Sequence, residues 1–331
     1  PDFLFDSLCN YTGTSRTPLR NLPLSTAYIS HQSCHAHDTG QGHPESPSRL
    51  SAIEDKLLLS GLSDFLRHVD APEATRQQLL RAHTQHHLDN MDRMMPKQGY
   101  ARLDPDTIVS PETMPAALRA AGAAVKAVDM IMAGEVNNAF CSVRPPGHHA
   151  ESDRALGFCL FNNLAIGVTH ALEEYGLKKV AVIDFDVHQG NGTEDILLAD
   201  DRVLYCASFQ HPFFPYTPTP ENNERVISIP LDATARSAEF RAAVTDHWLP
   251  ALERFEPEMV FISAGFDAHQ DDDMSYVSLT DADFRWVAEH LVRIAGDHAN
   301  GRVVSALEGG YELHSLARCV EAHLRVLMDP A

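Results

Sequence analysis

The sequence predicts one α/β domain with a mostly parallel sheet flanked by helices, and three observations predict it. Segments such as Val180-Ala181-Val182-Ile183 and Met259-Val260-Phe261-Ile262 are apolar at every position, as strands covered on both faces are. They alternate with helical patterns of ten or more residues, which is the rhythm of strand-helix-strand units. Chemistry-bearing residues collect just after the strands, where open parallel sheets bind ligands.

Taken in order, residues 1–30 carry Thr, Ser, Pro and Arg without periodicity, and residues 1–26 are read as an irregular arm ahead of a domain spanning 27–331. Leu50, Ile53, Leu57 and Leu58 recur at helical spacing between Pro47 and Ser60, within a stretch of His-, Pro- and Gly-rich loops. From residue 116 the pattern becomes regular. Helices are expected over 116–133, 160–175, 193–199, 237–255, 281–298 and 312–327, and strands over 139–143, 179–185, 202–208, 225–229, 258–263 and 302–307.

Composition narrows the function classes. The 331 residues are 44% hydrophobic and 22% charged, and no run of about 18 apolar residues occurs, which argues against a membrane span and against wholesale disorder. Lys+Arg 26 against Asp+Glu 46 gives a net charge of −20, which disfavours nucleic acid and anionic lipid and suits cationic partners. The 6 cysteines are scattered without a CxxC pair, so reduced buried thiols are expected rather than a disulfide framework or zinc finger. The opening Pro1-Asp2-Phe3-Leu4-Phe5-Asp6 has no basic, then long apolar, leader pattern, and a cytoplasmic address is expected.

Four predicted strand ends carry the chemistry: Arg144-Pro145-Pro146-Gly147-His148-His149, Asp184-Phe185-Asp186-Val187-His188, Ser263-Ala264-Gly265-Phe266-Asp267 and Glu308-Gly309-Gly310-Tyr311. Asp186 and His188, two apart on extended backbone, project to one side, and Asp267 can join them from a neighbouring strand end. Two carboxylates and one imidazole with a position left for water suit a catalytic divalent metal, most simply Zn2+, with Fe2+ or Co2+ also accepted by such ligands. The tandem His148-His149 offers imidazoles for proton transfer, and Tyr311, after two glycines, offers a phenol for a developing oxyanion. Taken singly, each residue could merely cap a loop or pack a core; their coincidence at four strand ends argues for one pocket.

Other chemistries are not supported. Gly40-Gln41-Gly42 and Gly190-Asn191-Gly192 each begin a dinucleotide fingerprint but lack its last glycine, and no P-loop occurs, so no nucleotide cofactor is expected. HExxH is absent, and Phe261 stands where a GxSxG elbow needs its first glycine.

The six ordered motifs His43-Pro44-Glu45-Ser46-Pro47-Ser48-Arg49-Leu50, Arg144 to Ala150, Gly157-Phe158-Cys159, Asp184 to Thr193, Ser263 to His269 and Glu308 to Tyr311 together resemble the histone deacetylase superfamily, most closely its class II-like bacterial amidohydrolases. The resemblance covers residues ~27–327 and implies an arginase/deacetylase fold with about eight strands. It implies Asp186, His188 and Asp267 as zinc ligands, His148 and His149 as the proton-handling pair, Tyr311 as the carbonyl-polarising phenol, and Asp184 and Asn191 as the groups orienting the two histidines. It further implies a substrate tunnel at Gly157, Phe158, Phe214 and Gly310, with Arg49 behind the metal. A structural K+ would be held by backbone oxygens of Asp184, Asp186, His188 and Phe209 together with Ser208. The chain departs from the common pattern at Tyr216-Thr217-Pro218, where many members have a Gly-rich turn, and at Gln210, which reads as an insertion. Asp271-Asp272-Asp273 is read as a solvated acidic loop in preference to a substrate-attracting patch.

The activity implied is metal-assisted hydrolysis of acetyl- or longer acyl-lysine in proteins or peptides. Acetylated polyamines or another small amide are the alternative substrates, and a non-catalytic acetyl-lysine binder is the minor alternative, disfavoured because no motif residue is missing. A homo-oligomer is compatible with the sequence, through the N-terminal arm.

Overall fold

A computed structural model describes residues 25–329. Eight parallel strands form one sheet: β1 (Thr26–Ser30), β2 (Arg67–Asp70), β5 (Asn138–Cys141), β6 (Val180–Asp184), β7 (Val203–Gln210), β8 (Val226–Leu231), β9 (Met259–Ala264) and β10 (Val303–Leu307), in the order β2-β1-β5-β10-β9-β6-β7-β8. A two-stranded antiparallel ribbon, β3 (Ala101–Arg102) with β4 (Ile108–Val109), stands apart from it. The central strands are buried at every position, which is why the sequence reads as apolar runs instead of alternating.

The helices are α1 (Gln32–Ala36), α2 (Ser48–Leu59), α3 (Arg76–Leu79), α4 (Gln85–Met94), α5 (Thr113–Met132), α6 (Asn163–Glu174), α7 (Asn191–Leu197), α8 (Ser237–Ala243), α9 (Leu249–Phe255), α10 (Asp281–His298) and α11 (Leu313–Met328). Ala-rich α5 supplies small side chains against which α6 packs. Caps set several boundaries: the Asn162 side chain accepts the N–H of Ala165, so α6 starts at Asn163 and not at the expected 160. The expected helix 237–255 is α8 and α9 joined by a π-helical turn at Val244–Trp248. Among the described residues, no helix is long and apolar enough to cross a membrane.

The expectation for the N-terminus needs correction. Residues 1–24 of the expected arm lie outside the described residues, but Thr26–Ser30, read as irregular, is a buried strand between β2 and β5. It has only three apolar residues, Ala27, Tyr28 and Ile29, between Thr26 and Ser30, and its partners lie some 40 and 110 positions away.

The four strand ends singled out by their chemistry belong to β5, β10, β9 and β6, and these are the four consecutive central strands of the sheet. Their carboxyl ends therefore open side by side.

Candidate active site

Asp186 and His188 follow β6, and Asp267 follows β9, its immediate neighbour. All three are buried, and ligand atoms of the three lie within 4.8 Å of one another. His188 Nδ1 is 3.1 Å from Asp186 Oδ1 and 3.1 Å from Asp267 Oδ2. Backbone amides aim the carboxylates: Gly309 N–H donates to Asp186 Oδ2 at 2.8 Å, and Val187 N–H donates to Asp267 Oδ1 at 3.0 Å. The backbone comes so close that glycine is required. A Cβ on Gly265 would sit 2.0 Å from Asp186 Oδ2, and one on Gly309 would sit 2.1 Å from Asp267 Oδ2.

This donor set fits a divalent cation. Among the described residues neither Asp186 nor Asp267 pairs with Lys or Arg; their ionic neighbours are histidines. Burial pushes the His188 imidazolium down, but the two carboxylates outweigh it and raise it to about 9; burial and the Asp186 charge push Asp267 up to about 6. Negative charge is thus concentrated where one cation would neutralise it. A second His/Asp/Cys group, His269, Asp281 and Cys319, does not fit as well. Arg318 already pairs with Asp281, and His269 Nδ1 accepts the Asp271 N–H, which leaves Nε2 protonated and unable to ligate.

The loop after β5 brings His148 and His149 beside the ligands, with ring centroids 4.0 Å apart. His148 Nδ1 faces Asp184 Oδ2 at 3.1 Å, and His149 Nδ1 faces Asn191 Oδ1 at 2.8 Å. Asn191 Nδ2 donates to Glu151 Oε1 at 2.7 Å, which fixes the amide orientation, keeps His149 protonated at Nδ1 and leaves its Nε2 free. The two imidazoles differ in basicity. Burial lowers His148, but Asp186 and Asp184 outweigh it and hold it well above the usual range; burial and the neighbouring His148 and His188 hold His149 well below it. Glu308 Oε2 accepts the amides of Gly147 and His148 at 2.7 and 3.1 Å and so fixes the loop.

Tyr311 lies across the cavity. Burial, with Asp267 and Asp186 nearby, raises its phenol well above the usual value, so it stays a hydrogen-bond donor at neutral pH. Arg49, fully buried, has its guanidinium 4.9 Å from the Tyr311 ring, and donates to the carbonyls of Gly310, at 2.6 Å, and Glu308. Arg49 and Arg144 share the carboxylate of Glu45, itself fully buried.

The cavity, about 620 Å³, is lined by His149, His188 and Tyr311 at the chemistry, Gly157, Phe158 and Phe214 along its wall, and Arg102, Asp106 and Tyr216 towards solvent. Phe158 meets the Tyr311 ring edge-on at 5.9 Å, and Phe214 meets His149 at 5.1 Å. Gly310 is not among the lining residues, contrary to expectation: its carbonyl is taken by Arg49, and Leu316 Cδ1 would be 2.8 Å from its Cβ. Of the residues expected to hold K+, Asp186, Ser208 and Phe209 line a separate small cavity of about 10 Å³.

Two further readings change. Asp272 is buried, not solvated, and its Oδ2 accepts the amides of Tyr311 and Glu312 at 2.6 and 2.9 Å, fixing the turn that carries the phenol. Gln210, read as an insertion, is buried too, and its Oε1 accepts the amides of Tyr276 and Val277 at 2.8 and 3.3 Å. Sequence reasoning gave no roles to Glu45, Arg144, Glu151, Glu308 or Phe213, which stacks on His188 at 5.4 Å. Glu45, Arg144 and Glu308 stand inside the quoted motifs; a charged residue among loop-forming Pro and Gly was the available signal. Of the 6 cysteines, Cys34, Cys141, Cys159, Cys206 and Cys319 are buried and unpaired, and Cys9 lies outside the described residues.

Known proteins resemble this chain along most of its length. Residues 43–327 match the histone deacetylase domain family. The chain is 36% identical to a histone deacetylase-like amidohydrolase of Pseudomonas aeruginosa, over 82% of this chain and 73% of that protein. It is 32% identical to a probable deacetylase of Archaeoglobus fulgidus, over 87% and 82% of the two chains. The crystal structure of the HDA15 HD domain superposes with a TM-score of 0.86 at 33% identity, covering 93% of this chain and 90% of that one.

Proposed function

The chain belongs to the histone deacetylase family, a hydrolase family with the arginase/deacetylase fold, and on that footing we propose that it is a zinc-dependent deacylase of lysine side chains in proteins or peptides. The observation that carries the proposal is the convergence of Asp186, His188, Asp267, His148, His149 and Tyr311 at one cavity walled by Phe158 and Phe214. Fe2+ or Co2+ would suit the same ligands.

A divalent cation on these three ligands supplies a Lewis acid for the acyl carbonyl and lowers the pKa of water. The chain's own residues do the rest. Phe158 and Phe214 flank the aliphatic stem and exclude water around the scissile amide. His149, neutral and with Nε2 free, takes the proton of the attacking water. Tyr311 donates its O–H to the carbonyl oxygen as charge develops there. His148, favoured as imidazolium and held by Asp184, gives a proton to the leaving amine. Backbone oxygens of Asp184, Asp186, His188 and Phe209, with Ser208, would hold a structural K+ that would stiffen the ligand loop, and of these Asp186, Ser208 and Phe209 line one small cavity.

The rim favours acyl-lysine over acetylpolyamine. Among the lining residues the only carboxylate is Asp106, and Arg102 lies in the same rim, so the mouth is not built to attract a free polycation. The test compares kcat/KM of metal-stripped, zinc-reconstituted protein on an acetyl-lysine peptide, a longer acyl-lysine peptide and acetylspermidine. A tenfold preference for either peptide is expected. Preference for acetylspermidine overturns the lysine assignment, and turnover that survives metal removal overturns metal dependence.

A further inference from the structure

Four described residues other than glycine adopt positive φ: Phe158 at 69°, Tyr216 at 60°, Glu256 at 53° and Asn300 at 54°. Glu256 caps α9, and Asn300 directly follows Ala299, the cap of α10, positions where a left-handed residue ends a helix. Phe158 and Tyr216 have no such setting. Both are bulky aromatics in a region of backbone space that favours glycine, and both line the same cavity.

For Phe158 the tunnel wall accounts for the cost, because its ring packs against Tyr311 and, at 4.9 Å, His43. Tyr216 has no comparable packing. It is 76% exposed, yet its position is fixed: its N–H donates to Phe213 O at 2.9 Å, and Gln189 Nε2 holds Pro218 O at 3.2 Å. A glycine would make this turn without strain. An aromatic on a left-handed, hydrogen-bonded turn that buries little against its own chain, at the outer end of the tunnel, is explained by contact with something that enters from outside.

We propose that Tyr216 is a specificity-determining residue, whose ring forms a ledge at the tunnel mouth and packs on the polypeptide flanking an acylated lysine. This rests on the lysine reading above. The surroundings suit a peptide: Arg102 and Asp106 share the mouth with Tyr216, offering one charge of each sign beside an aromatic face. Free Nε-acetyl-lysine has no flanking residues to lie on the ledge.

The test measures KM and kcat of wild type, Tyr216→Ala, Tyr216→Gly and Tyr216→Phe on an acetyl-lysine peptide with several residues on each side, on free Nε-acetyl-lysine and on acetylspermidine. Phe65→Ala, which removes a similarly exposed aromatic (74%) next to edge strand β2, is the control. Tyr216→Ala and Tyr216→Gly should raise the peptide KM about five- to tenfold, the scale of one aromatic contact, with kcat and the KM of free acetyl-lysine within about twofold. Tyr216→Phe and Phe65→Ala should behave as wild type. Tyr216→Gly should also raise Tm by about 1–3 °C, since it relieves the backbone. A peptide KM unchanged in Tyr216→Ala overturns the inference while leaving the lysine reading intact, as does a change of oligomeric state in its place. A lower Tm for Tyr216→Gly overturns the strain argument. Wild type that turns over acetylspermidine but no acyl-lysine overturns both readings.

Discussion

Glu45→Gln probes how the site is supported. Glu45 has no exposed surface and accepts from two guanidiniums that are equally buried, Arg144 through Nε and Nη2 and Arg49 through Nη1 at 3.3 Å. Burial alone would push its carboxyl up, but Arg144, with His37 and Arg49, outweighs that and holds it at about 2, against a usual 4.5. At about 1.4 kcal/mol per unit, the gap corresponds to about 3 kcal/mol of stability. Removing the charge leaves two arginines buried with only carbonyl acceptors, a class of change that costs about 3–5 kcal/mol. At about 1.5–2 °C per kcal/mol in a domain of this size, the variant should melt about 5–10 °C lower at pH 7. The pH dependence gives a second check. A depressed carboxyl stabilises fully above its unfolded pKa, and that stability is lost as pH falls from about 4.5 to about 2. Wild type has this contribution to lose and the variant does not, so the gap in urea-unfolding free energy should narrow over that window. A Tm difference under about 2 °C at pH 7, or a gap that stays constant on acidification, would refute the reasoning.

Tyr311→Phe should lower kcat about 10²–10³-fold with metal content unchanged by elemental analysis; an unchanged kcat removes the phenol from the mechanism. Asn191→Asp puts a carboxylate 2.8 Å from His149 Nδ1 and favours the imidazolium. Since His149 must be neutral to accept a proton, the acidic limb of kcat/KM against pH should move up by about one unit or more, and an unmoved limb excludes His149 as the base. Gly309→Ala drives a Cβ to 2.1 Å from Asp267 Oδ2 and should weaken metal binding at least about tenfold with the circular dichroism spectrum retained; wild-type affinity would show that the ligand shell is softer than the geometry implies.

How much of this was legible in the sequence depended on distance along the chain. Six of the eight sheet strands were readable: β5, β6, β7, β9 and β10 are buried at every position and mostly apolar, and edge strand β8 keeps Val226, Ile227, Ile229 and Leu231, marks that need no knowledge of partners. Strands β1 and β2 left none: β1 has only Ala27, Tyr28 and Ile29 between Thr26 and Ser30, and β2 sits at the sheet edge with three of its four residues exposed. The site followed the same rule. Asp186, His188, Asp267 and Tyr311 could be found because each stands at the end of a readable strand, and a parallel sheet brings such ends together.

The groups that hold those residues in place were harder to find because their partners are remote. Glu45 meets Arg144 across 99 positions, Arg49 meets Gly310 across 261, and Asp272 meets Tyr311 across 39. Local composition even misled: three consecutive aspartates look like a solvated loop, yet the middle one is buried because two backbone amides of the tyrosine turn point at it. A carboxylate with amide donors in a protein interior costs far less than one without, so burial of Asp272 was decided by a turn that forms elsewhere. The division has a mechanistic consequence. Residues that meet the substrate are announced by short motifs, whereas the buried ionic and amide contacts beneath them decide whether Tyr311 and His148 are held in register. Substitutions at Glu45 or Asp272 should therefore change kcat without touching any group that contacts the substrate.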